Sequence, residues 1–106
     1  MAVNDLPDSP DAYKTVDEMR REGLAVHAAP GDVTTSEGLS AIFSELDRVM
    51  PDASGTTARI DILVNNAGTA RSDTLATLSE ETFDLLIRVN LRAPLFVMQR
   101  ALTRMP

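Results

Sequence analysis

An open α/β fold built on a parallel sheet is the class this sequence predicts, and three observations predict it. Short β-branched runs alternate with helical patterns in the order β-α-β-α-β-α, the order of parallel strands joined by right-handed crossovers. One run, Ile60 and Ile62 to Val64, is apolar enough to be a strand covered on both faces. That run ends abruptly in Asn65-Asn66-Ala67-Gly68. Asparagine side chains bond neighbouring backbone, and Ala and Gly leave the main chain open to close approach. Open α/β sheets bind ligands where the carboxyl end of a strand opens into such residues. An ordinary strand-to-loop turn is the competing reading of the same tetrapeptide.

Met1–Asp5 reads as the end of a strand, entered partway. Leu6 to Pro10 is a turn, in which Ser9 caps the next helix and Pro10 takes its first position. That helix runs to about Glu22, turns Val16 and Met19 inward, and stops at Gly23. Leu24–Ala28 is a second strand, and its lone His27 has no nearby partner that would make it a ligand or an acid–base group. Pro30-Gly31-Asp32-Val33 leads out of it. Thr34 and Glu37 have capping-box spacing ahead of a helix. Leu39, Ile42, Phe43, Leu46, Val49 and Met50 give that helix one inward face. Pro51 to Ala58 is a surface loop rich in Pro, Gly, Ser and Thr. After the apolar run, Ser79-Glu80-Glu81 opens the last helix, where Phe83, Leu86, Ile87, Asn90 and Leu91 share a face.

Composition bounds what this chain can do. Its 106 residues suit one small domain. A net charge of −6 without a basic cluster argues against nucleic acid. There is no cysteine, so neither disulfides nor a thiolate metal site is expected, and no other metal site is expected. No stretch approaches the roughly 18 apolar residues of a membrane span. A cytoplasmic protein without a membrane partner is the expectation.

Asp61-Ile-Leu-Val-Asn-Asn-Ala-Gly68 resembles the fourth-strand motif of the short-chain dehydrogenase/reductase family. Gly31-Asp32-Val33 upstream and Val89-Asn90-Leu91 downstream resemble two further family marks, in the right order. The nearest branch by this resemblance is that of the 3-oxoacyl-carrier-protein reductases. The resemblance implies a partial Rossmann-type parallel sheet in three layers. Residues 1–106 would then be an incomplete NAD(P)-binding domain, from the second strand to the helix after the fourth. In the family's sheet order a further strand lies between those of Met1–Asp5 and Ile60–Val64. The Gly-rich phosphate loop and the catalytic Ser and Tyr-x-x-x-Lys segments of the family have no counterpart in the sequence. The apolar run Leu95 to Met98 has a family counterpart at subunit interfaces, so a homo-oligomer is expected of a complete member.

Site residues follow from both readings. Asp5 stands just past the first strand, where an acid accepts from the adenosine ribose and repels a 2′-phosphate. With Leu6 beside it, NAD is favoured and NADP stays in range. Simple turn chemistry is the alternative for Asp5. By the resemblance, Asp32 and Val33 lie beside the adenine, and Asn66, Ala67 and Gly68 pass the ribose toward the nicotinamide. Asn65 is expected to brace the strand end. Asn90 corresponds to the family's catalytic asparagine. Pro94, four residues on, has no N–H to give the Asn90 carbonyl and crowds it, so a kink and a carbonyl available to water are expected.

Two functions stand side by side. One is a fragment of an NAD(P)-dependent oxidoreductase that moves a hydride between nicotinamide and a carbonyl or alcohol carbon, with a 3-oxoacyl thioester as a substrate class. The other is a truncated, non-catalytic fragment or interaction module. A flavodoxin-like nucleotide-binding domain is a third, but it needs a phosphate loop after the first strand, and Leu6-Pro7-Asp8 is unsuited to one.

Overall fold

The computed structural model describes residues 1–106. Its sheet begins with β1 (Ala2–Val3) and β2 (His27–Ala28), paired in parallel with Ala2 opposite His27 and Val3 opposite Ala28. Backbone pairing extends past both ends. The Met1 amino group donates to the Ala25 carbonyl at 2.9 Å. The N–H groups of His27, Ala29 and Gly31 donate to the carbonyls of Met1, Val3 and Asp5. The first strand therefore pairs over the span expected. The second is displaced toward Gly31, and Leu24 lies in the exposed turn before it.

Helix α1 (Pro10–Arg21) connects the two strands. The Ser9 hydroxyl accepts from the Asp11 N–H, Pro10 opens the first turn, and Gly23 follows the helix end at φ 86°. That angle is in the left-handed region, which glycine adopts without strain. Ala12 and Val16 are buried and Met19 is half-buried.

Helix α2 (Ser36–Val49) starts one residue later than the sequence implied. Its cap is Thr35, whose hydroxyl oxygen accepts from the Gly38 N–H at 2.9 Å. Thr34 is turned the other way, its N–H and hydroxyl both donating to Asp32 Oδ1, at 2.9 and 2.7 Å. The expected Thr34–Glu37 box is thus replaced by an Asx-type turn next to a simple cap. Two glycines let the loop close on the helix. A Cβ on Gly31 would sit 2.6 Å from the Gly38 carbonyl oxygen, and one on Gly38 would collide with the Asp32 backbone.

Leu39, Ile42 and Phe43 are buried on the face that the periodicity predicts. Ala29, Ile42, Phe43, Ile60 and Ala101 form the core, joined at its margin by Ala2, Val33, Leu46, Leu63 and Met105. One face of the strand layer thus rests on α2 and on the end of the last helix. The Pro51–Ala58 loop is surface-exposed over most of its length and is closed by a bridge between its ends. Asp47 pins the far corner. It accepts from Arg104 at 2.8 Å and from the Ala58 N–H at 2.8 Å, and the Arg104 guanidinium lies 4.9 Å over the Phe43 ring.

The apolar run is where the structure departs from expectation. Ile60 is buried, and its N–H donates to the Arg104 carbonyl at 3.0 Å. Ile62 is 82 % exposed and Val64 76 % exposed, and no ladder includes them. The sheet consists of β1 and β2 alone. A strand is held by pairing, and this extended segment has no neighbouring strand to pair with. The open α/β class stands, but the both-faces-covered strand does not.

The last helical unit has three parts: α3 (Glu80–Ile87), a π-helical turn (Arg88–Arg92) and α4 (Ala93–Leu102). Ser79 caps α3 by accepting from the Thr82 N–H at 3.1 Å. Phe83, Ile87 and Leu91 face solvent rather than a core, while Leu86 is half-buried. No helix is long and apolar enough to cross a membrane.

Candidate functional site

The site is assembled where two loops meet one turn of helix. Proline sets the shape of that turn. Pro94 has no N–H to give the Asn90 carbonyl, and the helix absorbs the misfit as a π turn in which the Ala93 N–H reaches the Arg88 carbonyl. The expected irregularity is present, as a widened turn within one continuous helical unit.

Asn90 projects from this turn to the loop after Gly68. Its Oδ1 accepts from the Thr69 N–H at 3.0 Å, and its Nδ2 donates to the Thr69 carbonyl at 2.8 Å. One amide therefore matches both polar groups of one backbone residue. Gly68 makes room for this, since a Cβ there would approach Asn90 Oδ1 to 3.3 Å. Asn66, Ala67 and Gly68 themselves are exposed, with their main chain open.

Asp32 and Val33 lie at the carboxyl end of β2, both half-buried. Asp32 Oδ1 is committed to Thr34, whereas Oδ2 has no hydrogen-bond partner in the chain. Val33 packs on the margin of the core. Arg92 ties this loop to the π turn by donating to the Thr34 carbonyl at 2.9 Å. The one helical turn is thus tied to Thr34, which follows Asp32 and Val33, and to Thr69, which follows Asn66, Ala67 and Gly68.

Asp5 is differently employed. Its Oδ1 accepts from the Leu6 N–H at 2.7 Å and its Oδ2 from the Ser9 hydroxyl at 2.8 Å. Turn and cap chemistry therefore engage both oxygens, although each keeps a further lone pair. Asn65 braces nothing: it is exposed and makes no side-chain hydrogen bond. The brace belongs to Asn4, whose Nδ2 donates to the carbonyls of Ala29 and Gly31 at 2.9 and 3.0 Å and locks the two strand ends together.

Sequence reasoning missed Asn4, Thr69 and Arg92. Asn4 sits at a strand end beside Asp5, a local signal that was legible. Thr69 follows Gly68 directly. Arg92 had no local signal, because its partner lies 58 residues away.

A cleft of about 500 Å³ lies elsewhere, between α1 and α2 beside β2. Tyr13, Arg20, His27, Glu45 and Arg48 line it, and no candidate residue does. The hydrogen bonds from Arg48 hold the Glu45 carboxyl below its usual range there. We place the candidate site at the π turn because backbone loops and a positioned amide converge there. The cleft offers mainly an ion pair already closed on itself.

A parallel βαβ unit, a further helix after its second strand and loops beyond the strand ends are those of a partial Rossmann-type α/β fold. Residues 6–106 match the short chain dehydrogenase family, and the chain belongs to it. The hydroxy(phenyl)methylsuccinyl-CoA dehydrogenase subunit BbsD of Thauera aromatica is 39% identical over 92 residues, which is 87% of this chain and 34% of that protein. The hydroxyacyl-CoA dehydrogenase ChsB1 of Mycobacterium tuberculosis is 32% identical over 101 residues, 95% of this chain and 31% of that protein. Among solved structures, the landomycin C-6 ketoreductase LanV with bound NADP and rabelomycin superposes with a TM-score of 0.86 at 30% identity, over 99% of this chain and 42% of that one. The chain thus spans about a third of the length of the curated relatives it matches.

Proposed function

We propose that this chain is the adenosine-side and relay-side part of an NAD(P)-dependent oxidoreductase acting on a 3-oxoacyl or hydroxyacyl thioester. The single observation that carries the reading is the Asn90–Thr69 double hydrogen bond. It fixes the loop after Asn-Asn-Ala-Gly against a helix widened by Pro94. Two relatives are named as CoA-thioester dehydrogenases, which supports the substrate class.

The residues present fit a dinucleotide. Asp32 Oδ2 is available to the exocyclic amine of adenine, and Val33 offers an apolar edge beside it. The exposed backbone of Asn66–Gly68 can follow the ribose toward the nicotinamide. Asp5 would accept from the 2′-hydroxyl through its remaining lone pairs, which favours NAD, with NADP also in range. The nicotinamide would supply the hydride. This chain's residues orient the dinucleotide and organise a water at Asn90. In a complete member the proton transfer belongs to a Tyr-x-x-x-Lys pair, and this sequence contains none.

Two measurements test the reading. In saturation-transfer NMR with ADP-ribose, the adenine and ribose protons should receive saturation, and Asp32→Ala should weaken it about tenfold. Absence of transfer to the parent chain removes the cofactor assignment. With NADH or NADPH and an acetoacetyl thioester, the chain by itself should show no turnover, since the acid–base pair is missing. Rates above a heat-killed control would contradict that.

A further inference from the structure

Arg92 takes no part in the residue set above, yet it makes the longest-range side-chain bond at the site. Its Nη1 donates to the Thr34 carbonyl at 2.9 Å, and its guanidinium lies 4.8 Å over the Phe96 ring. The stacking fixes the planar head, so the bond is held without freezing an otherwise mobile side chain. Thr34 in turn commits its N–H and hydroxyl to Asp32 Oδ1. Arg92 therefore holds, at its carbonyl, the residue whose N–H and hydroxyl hold the Asp32 carboxylate. Two residues earlier, Asn90 holds Thr69. Side chains two apart on a helix point in different directions, so this one turn reaches both loops at once.

We propose that Arg92 is a positioning residue that couples the Asp32–Thr34 loop to the turn bearing Asn90. Ordering of the adenine-side loop is transmitted through Arg92 to the turn that places Asn90 and Thr69. This rests on the dinucleotide reading of Asp32. It adds a residue that touches no cofactor and acts through the Thr34 peptide.

The test is residue-resolved hydrogen exchange on the full chain, in the parent, Arg92→Met and Arg92→Lys, paired with ADP-ribose titration. Met keeps an apolar stem over Phe96 and removes the donor. Lys restores a donor to the same carbonyl. In Arg92→Met the loop loses its anchor at the Thr34 carbonyl, so the Thr34 and Thr35 amides, which donate to Asp32, should exchange about tenfold faster as the loop opens more often. The Thr69 amide, held by Asn90 on the same turn, should accelerate with it, the Val16 amide in α1 should stay unchanged, ADP-ribose should bind about tenfold more weakly, and Arg92→Lys should recover most of these effects. Unchanged Thr34 exchange in Arg92→Met overturns the proposal. Equal acceleration at Thr34 and Val16 also overturns it, since Arg92 would then be a general stabiliser. If the parent binds no ADP-ribose but the exchange pattern is as expected, the dinucleotide reading fails and the Arg92 coupling stands.

Discussion

At Asn90 a single amide satisfies both backbone groups of Thr69, so the loop after Gly68 is held at one point by two bonds. The contact is exposed, and each bond contributes roughly 0.5–1.5 kcal/mol. Asn90→Ala should accelerate exchange of the Thr69 amide at least about tenfold and leave Val16 in α1 untouched. Equal protection in the variant would mean the loop is held by something else. Asp47 makes the other residue-scale case. The hydrogen bonds from Arg104, with help from the Ala58 N–H, hold its carboxyl below the usual range against the opposing effect of burial. A folded-state pKa below the unfolded value of about 3.9 makes a contribution that is complete above that value. It is lost as pH falls through the lowered folded pKa. Urea denaturation of Asp47→Asn should therefore show a flatter acid limb than the parent and a loss of roughly 1–3 kcal/mol at neutral pH. Parallel pH profiles would show that Asp47 is not the titrating group.

Among the elements, those with local causes were legible. Ser9, Pro10, Gly23 and Ser79 mark helix ends through groups only a few residues away, and the structure uses each as read. The α2 start was misread by one residue because Thr34 and Thr35 are adjacent, and spacing does not record which hydroxyl turns to the helix and which to Asp32. The Asn90–Pro94 spacing correctly marked an irregular helix. It did not specify a π turn, because a missing N–H can be relieved by a kink or by a widened turn. In this fold Asn90 and Arg92 reach loops that are far apart in sequence. Pro94→Ala restores the missing N–H and removes the ring clash, an interior penalty of about 3 kcal/mol. Exchange should then show a protected amide at position 94 bonded to the Asn90 carbonyl, with α4 turned relative to α3. The Thr69 or Thr34 amide, or both, should lose protection. A variant that keeps both contacts would show that proline is not what sets the turn.

Over the whole molecule, the radius of gyration is 15.7 Å, against about 13 Å for a compact chain of this length. The excess comes with a small core and with large apolar side chains left outside it, including Ile62, Val64, Phe83, Leu91 and Leu95. The sequence pattern grouped Phe83 and Leu91 on one helix face and placed Ile62 and Val64 in a covered strand, and the structure leaves all four exposed. That pattern could not say that the segment beside Ile62 would have no strand to pair with, since pairing is decided by what lies next to it in space. The two exposed surfaces are not equivalent. Along α3 and α4 the backbone is satisfied within the helix, so only side chains invite contact. Along Asp61–Val64 side chains and unpaired N–H and C=O groups are presented together, and such an edge templates association. The chain is therefore expected to self-associate chiefly through this segment. Ile62→Lys with Val64→Lys should cost little folding stability, because both positions are already exposed, and charges on an open edge oppose pairing. Sedimentation velocity should move from a concentration-dependent mixture toward monomer, with the far-UV helical signal unchanged. If the double variant associates as the parent does while Leu91→Lys with Leu95→Lys becomes monomeric, the helical face rather than the bare strand is the contact.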